Sequence, residues 1–339
     1  MSVWPANAII VYSTGDPTYN TSAPGGSLTN SGWQFEGSWG PFLGTVIAPN
    51  YFITALHVGG GIGQVFTFRG VEYTTTATYA APATDLRIWR VCGTFPEYAQ
   101  IYTKTNETGE SFVVFGRGTQ RGGPVTTTNF LGTIKTNGWM WGPSDAVQRW
   151  GENVVSGVQT DGNVGDLIQA TFDPDGGPNE CDLSGGDSSG GLFIKDGAVW
   201  KLAGVNYAVD GPYSSSMNGP GFFGAIFDEG GLYKQIDTNR VFTPDTPFNQ
   251  GSSFYTSRIS SHADWILSVI GNVDNLVLQS STSASGPYAD ETVSILDGTS
   301  KTITVPLPGG SRFYRLSACA SLRITSMRVQ GVNLVLNYQ

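Results

Sequence analysis

The chain has 339 residues, of which 39% are hydrophobic and 12% aromatic, enough apolar material for two packed units. Eighteen Lys and Arg against 27 Asp and Glu give a net charge of −9, so the surface repels phosphate backbones and no nucleic-acid partner is expected. No run of about 18 apolar residues occurs, so no membrane span is expected.

Read in chain order, the N-terminus (MSVWPANAIIVYSTGD) lacks a basic segment followed by an apolar one. Either the chain is cytosolic or a targeting peptide has been removed, and the low charge and the Gly, Thr and Ser richness favour the second, a secreted or periplasmic protein. Short β-type runs then alternate with Gly, Pro, Asn and Asp turns. FLGTVIAP (42–49) and YFITALHV (51–58) are separated by Asn50, and VFTFRG (65–70) and DLRIWRV (85–91) follow. SFVVFG (111–116), NFLGTI (129–134), LIQATF (167–172), GLFIKD (191–196) and WKLAGVNYAV (200–209) continue the pattern. An all-β barrel or sandwich is the expected class.

One helix is predicted within SRISSHADWILSVI (257–270), where Ile259, Trp265, Ile266, Val269 and Ile270 fall mostly on one face. Ser260 or Ser261 would cap it and Gly271 would stop it. The helix closes a first domain, 1–271. Residues 272–339 read as a separate small β-sandwich, with similar NLVLQ (275–279) and NLVLN (333–337) segments. Tyr288, Phe313, Tyr314 and Tyr338 form either a binding face or the core and edges of that unit. Cys92, Cys181 and Cys319 allow at most one intramolecular disulfide and match no zinc spacing.

Three short segments carry the chemistry: Thr54-Ala55-Leu56-His57, Thr84-Asp85-Leu86-Arg87-Ile88-Trp89, and Gly185-Gly186-Asp187-Ser188-Ser189-Gly190-Gly191-Leu192-Phe193. A serine hydroxyl is a poor nucleophile at neutral pH and needs an adjacent base. An imidazole, with an ordinary pKa of about 6.5, can take and return the proton. A carboxylate on its other nitrogen fixes one tautomer, and glycines beside the serine let backbone N–H groups converge on a developing oxyanion. Alone, each segment is unremarkable. A His in a β run is usually structural, an Asp before a strand is a turn residue, and a Gly/Ser/Asp stretch is a loop.

Taken together, in the order His57, Asp85, Ser188, they resemble the trypsin-like (chymotrypsin-fold) serine peptidases. TALH is similar to that family's TAAH, DLRIWRV to its D-I-A-L-L-x-L strand, and GDSSGGLF to its GDSGGPLV. The resemblance spans roughly residues 30–270, by motif spacing. It implies two six-stranded antiparallel β-barrels with a closing helix, and a serine endopeptidase with no cofactor or metal that acts on protein or peptide substrates. The implied triad is His57, Asp85 and Ser188, with the N–H groups of Gly186 and Ser188 as oxyanion donors.

The sequence departs from the family pattern in several places. The doubled serine makes Ser189 an alternative nucleophile. Val58 stands where many animal relatives carry a cysteine, as in disulfide-poor bacterial members. No Ile-Val-Gly-Gly activation sequence is visible, which leaves the partner of Asp187 open, with Arg117 and Arg121 as candidates. Counting six residues back from Ser188 reaches Asp182, which in this family would form the base of a pocket for Arg or Lys. Alternatively, Asp173, Asp175, Glu180 and Asp182 belong to a solvated acidic loop or bind calcium, although the regular Asp-x-Asp-x-Asp-Gly loop is absent. Two other functions fit the same residues: an inactive binding or adhesion protein on a protease fold, and an esterase using the same triad. The oligomeric state is left open.

Overall fold

The computed structural model describes residues 9–128, 132–271, 276–297, 300–317 and 322–339. Among the described residues it is all-β apart from three short 3₁₀ turns and one helix. Six strands close a first barrel: β1 (Glu36–Trp39), β2 (Phe42–Ala48), β3 (Tyr51–Ala55), β4 (Val65–Phe68), β5 (Val71–Ala80) and β6 (Leu86–Val91). Their order around the barrel is β1-β2-β3-β6-β5-β4, and the circuit closes where Ser38 pairs with Thr67.

Side-chain alternation gives β3 and β6 two buried faces. Phe52 and Trp89 point inward with Trp39, Val46, Phe66 and Phe68. Phe52 stacks on Phe66 at 3.9 Å between centroids, and Trp39 lies 4.7 Å from Trp89. Tyr51, Ile53, Ala55, Leu86 and Ile88 point the other way, into a second core shared with Phe115, Phe193, Leu202, Val205 and Ile266. This second core joins the barrel to the rest of residues 9–271.

That second half is built on an eight-stranded sheet. Its strands are β7 (Ser111–Gly116), β8 (Arg149–Val154), β9 (Gly157–Asp161), β10 (Gly165–Thr171), β11 (Gly191–Asp196), β12 (Val199–Val209) and β13 (Ser253–Arg258). They run in the order β8-β7-β11-β12-β13-β10-β9, and Gln100–Ile101 lies parallel to β12. A three-stranded sheet of Thr119–Thr128, Ile134–Ser144 and Gly224–Ile226 packs beside it. The expected second six-stranded barrel is therefore not closed by a backbone ladder. A side chain spans the opening instead: Asn153 on β8 donates from Nδ2 to the Thr171 carbonyl (2.9 Å) and the Cys181 carbonyl (3.1 Å).

The strands fall close to their sequence positions, with Ser111–Gly116 and Gly191–Asp196 matching in full. Of NFLGTI, residues 129–131 lie outside the described residues, and a strand begins at Ile134. The helix is shorter than expected. β13 runs to Arg258, Ser260–His262 forms a 3₁₀ turn, and α1 spans only Ala263–Ile270. Neither serine provides the expected cap. His262 is the N-cap residue, without a side-chain cap, and the Ser260 hydroxyl bonds Glu107 instead. Gly271 ends the helix at φ −79°, without the left-handed turn.

Residues 276–339 form a three-stranded sheet (Ala289–Asp290, Val277–Ser281, Phe313–Ser317) and a four-stranded one (Ile295–Asp297, Thr302–Pro306, Asn333–Tyr338, Ile324–Gln330). The two NLVL segments fall in different sheets and meet in one core of Leu276, Leu278, Ile303, Val305, Leu336 and Tyr338. Of the four aromatics, Tyr338 is core, Phe313 is exposed, Tyr314 and Tyr288 are half-buried, and Arg315 lies 4.5 Å over the Tyr288 ring.

Candidate active site

Strand register brings His57 to Asp85. Ala55 at the end of β3 pairs with Leu86 at the start of β6. One step on, the Leu56 N–H donates to the Asp85 carbonyl at 2.9 Å. The chain beyond β3 then places the imidazole on the buried carboxylate: Asp85 Oδ1 accepts the His57 backbone N–H (2.8 Å) and Oδ2 accepts Nδ1–H (2.6 Å). With Nδ1 committed as a donor, Nε2 is left as an acceptor. It lies 2.9 Å from the Ser188 hydroxyl, 131 residues further along the chain. The imidazole is 39% exposed, so a substrate can reach it. The Tyr207 ring stands edge-on to it at 5.9 Å. Burial and the Asp85 charge push the Tyr207 phenol up, so it stays neutral.

The two adjacent serines have different surroundings. Ser188 faces His57. Ser189 is fully buried at φ +73°, a backbone region that non-glycine residues rarely occupy. Its hydroxyl accepts the Ala55 N–H at 3.1 Å, and its own N–H donates to the Asn206 carbonyl at 2.9 Å. Ser189 thus ties the serine loop to the end of β3, two residues before His57.

A buried residue with no motif signal also holds this loop. Asn206, inside β12, donates from Nδ2 to the Phe115 carbonyl (2.8 Å) and the Asp187 carbonyl (2.9 Å). Its N–H donates to the Gly190 carbonyl at 2.9 Å. In the sequence it is one polar residue within a strand-like run. Gly190 has to be glycine, because a Cβ there would lie 1.9 Å from the Phe115 carbonyl oxygen.

Asp187 is buried beneath the loop. Its oxygens accept the N–H groups of Gly118 (2.7 Å) and Ser184 (2.7 Å), the Ser184 hydroxyl (2.9 Å), and the Ile9 N–H (3.0 and 3.2 Å). Burial pushes its carboxyl up to about 6, and those donors hold it down from going higher. The partners are therefore backbone N–H groups and the Ser184 hydroxyl, and neither arginine. Arg117 is engaged with Ala146 and Ser38, and Arg121 with Val11, Tyr12 and the Trp139 ring. Gly186 takes φ +100°. Among the described residues, the N–H groups of Gly186 and Ser188 have no intramolecular acceptor, as donors reserved for a substrate oxygen require.

Asp182 lies elsewhere. It pairs with Ile10 in a short buried strand, accepts the Ser252 hydroxyl (2.7 Å) and the Leu183 N–H (2.8 Å), and is 1% exposed. Burial pushes its carboxyl up to about 7. It does not line the cavity beside Ser188. The backward count fails because Asp182 is drawn into this strand pairing, behind the loop. Among the described residues, no three His, Cys, Asp or Glu side chains group as metal ligands. In the acidic loop, Glu180 Oε1 accepts the Asp173 N–H at 3.0 Å. Cys181 is a buried thiol with its pKa pushed up, and Cys319 lies outside the described residues.

No protein-family model and no curated protein matches the chain. Among solved structures it is similar to neuropsin, a serine protease expressed in the limbic system of mouse brain. That similarity has 13% identity and a TM-score of 0.42, over 71% of this chain and 96% of that one. A likeness of this size assigns neither fold family nor activity. What the architecture defines is an all-β protein with a closed six-stranded antiparallel barrel. Among the described residues no helix is long and apolar enough to cross a membrane.

Proposed function

We propose that the chain is a serine endopeptidase of the trypsin-like, chymotrypsin-fold kind, secreted or periplasmic, with residues 1–271 as the peptidase domain and 272–339 as a small accessory β domain. One observation carries the reading: Asp85, His57 and Ser188 stand in an unbroken hydrogen-bonded series at 2.6 and 2.9 Å.

In this reading His57 Nε2 takes the Ser188 proton as Oγ attacks the scissile carbonyl carbon. The carbonyl electron pair moves onto oxygen, where the N–H groups of Gly186 and Ser188 stabilise it. The C–N bond then breaks, and His57 returns the proton to the departing amine, leaving an ester on Ser188. Water repeats the sequence: His57 takes its proton, the hydroxide oxygen joins the acyl carbon, and Ser188 leaves with the proton restored. The Asp85 carboxylate stabilises the imidazolium.

A fluorophosphonate probe tests this directly. The full chain should label, and Ser188→Ala should abolish labelling while Ser189→Ala retains it. The reverse pattern would transfer the nucleophile to Ser189, and an unlabelled wild type would remove the acyl-transfer reading.

A further inference from the structure

Resting on that reading, we infer that the cavity beside Ser188 accepts a small or medium aliphatic side chain from the substrate residue before the cleaved bond, and rejects both basic and aromatic ones. The cavity measures about 90 Å³. One wall is the loop Leu183-Ser184-Gly185 running to Ser188, and the other is the end of β12, Asn206 to Val209. Trp141 completes it.

Two features set its chemistry. The first is the lack of an available charge. Asp187 is the only ionisable carboxylate in the lining, and both its oxygens are occupied by backbone and hydroxyl donors. Asp182 is sealed behind the loop by Ser252 and Leu183. An Arg or Lys side chain entering here would lose its water and gain no counter-ion, a heavy cost for a cation. The second is size. A dry apolar cavity of about 150 Å³ holds a benzene ring, and this one, at about 90 Å³, offers less room than Phe, Tyr or Trp would fill.

Trp141 fixes that limit. Its ring stacks on Phe223 with centroids 4.8 Å apart, and its backbone N–H donates to the Phe223 carbonyl at 3.0 Å. It also packs so closely on the loop that a Cβ added at Gly185 would fall 2.8 Å from it. Held on both sides, the indole cannot swing aside without breaking the stack, so Trp141 is a specificity-determining residue.

The test is a series of peptidyl phosphonates that differ only in the residue at this position (Val, Leu, Phe or Lys), with labelling rates compared on the full chain. A small fluorophosphonate without a side chain runs in parallel. The Val and Leu probes should react at least about 10-fold faster than the Phe probe and about 100-fold faster than the Lys probe. Trp141→Ala should raise the Phe rate relative to Leu by about 10-fold or more, and Asp182→Asn should leave the ranking unchanged. If Trp141→Ala does not fold, the milder Trp141→Phe should shift the same ratio in the same direction. A fastest reaction with Lys that Asp182→Asn abolishes would overturn the proposal, as would a fastest reaction with Phe or equal rates across the series. If the small fluorophosphonate fails as well, the serine hydrolase reading itself falls, and the pocket assignment with it.

Discussion

The two halves of the candidate site are positioned by different means. His57 and Asp85 hang from the end of a backbone ladder, Asp85 one step and His57 two steps past the Ala55–Leu86 pair. Ser188 sits in a loop held by side chains: Asp187 below it, Asn206 behind it, and Ser189 bridging to Ala55. A backbone ladder tolerates most side-chain substitutions that keep the strand buried on its proper face. A loop hung on side chains depends on each of them. The barrel half should therefore be robust to mutation and the serine half fragile.

The largest effect should come from removing the chemistry without touching either support. Ser188→Ala and His57→Ala are each expected to lower kcat by about 10⁴-fold or more while thermal unfolding stays close to wild type. If unfolding moves as much as activity, these residues hold the fold instead.

Next comes the fragile half. Asn206→Ala deletes two buried hydrogen bonds and should cost about 2 kcal/mol, read by urea unfolding, together with a marked loss of fluorophosphonate labelling. On the barrel side, Thr54→Val removes the Trp89 Nε1–H acceptor, for about 1–2 kcal/mol, and should leave kcat unchanged. Equal losses of activity from the two variants would erase the contrast. Ser189→Ala is expected to be milder than Asn206→Ala. It leaves the Ala55 N–H buried without an acceptor, costs about 1–2 kcal/mol, and should lower kcat more than it raises KM.

The smallest effect depends on pH. Glu36, on β1, is buried against the start of β11. It accepts the Thr45 hydroxyl at 2.8 Å, and burial pushes its carboxyl up to about 8. The folded protein therefore keeps a proton that the unfolded chain releases above about 4.5, so stability falls as pH rises from 4.5 to 8. Glu36→Gln should unfold near the wild-type temperature at pH 5 and gain roughly 5 °C over it by pH 8, with no further divergence above. A gap independent of pH would mean that Glu36 is ionised throughout.

The same contrast explains what the sequence revealed. The candidate triad stood out because acyl transfer requires fixed residue types, and His57, Asp85 and Ser188 fall in a recognisable order. The strands of the first barrel were legible from their apolar runs. Asn206 was not, because a buried amide inside a strand shows its role only when its acceptors on Phe115 and Asp187 are in place. The position of Asp182 was missed for a similar reason. Its strand partner is Ile10, more than 170 residues away, and no local pattern announces that pairing. Nor does a count of strands reveal whether a sheet closes, and the opening at Asn153 is filled by a side chain that any turn-rich sequence could contain.

The stretch from 58 to 84 begins just after His57, ends just before Asp85, and contains β4 and β5, two of the six barrel strands. Because β5 pairs with β6 and β4 pairs with β1, the two ends of that stretch are held together by a ring that has to stay closed. Room to graft new contacts beside the imidazole is therefore confined to the connection 59–64, where Gly59, Gly60 and Gly63 take positive φ and an insertion leaves every barrel strand whole.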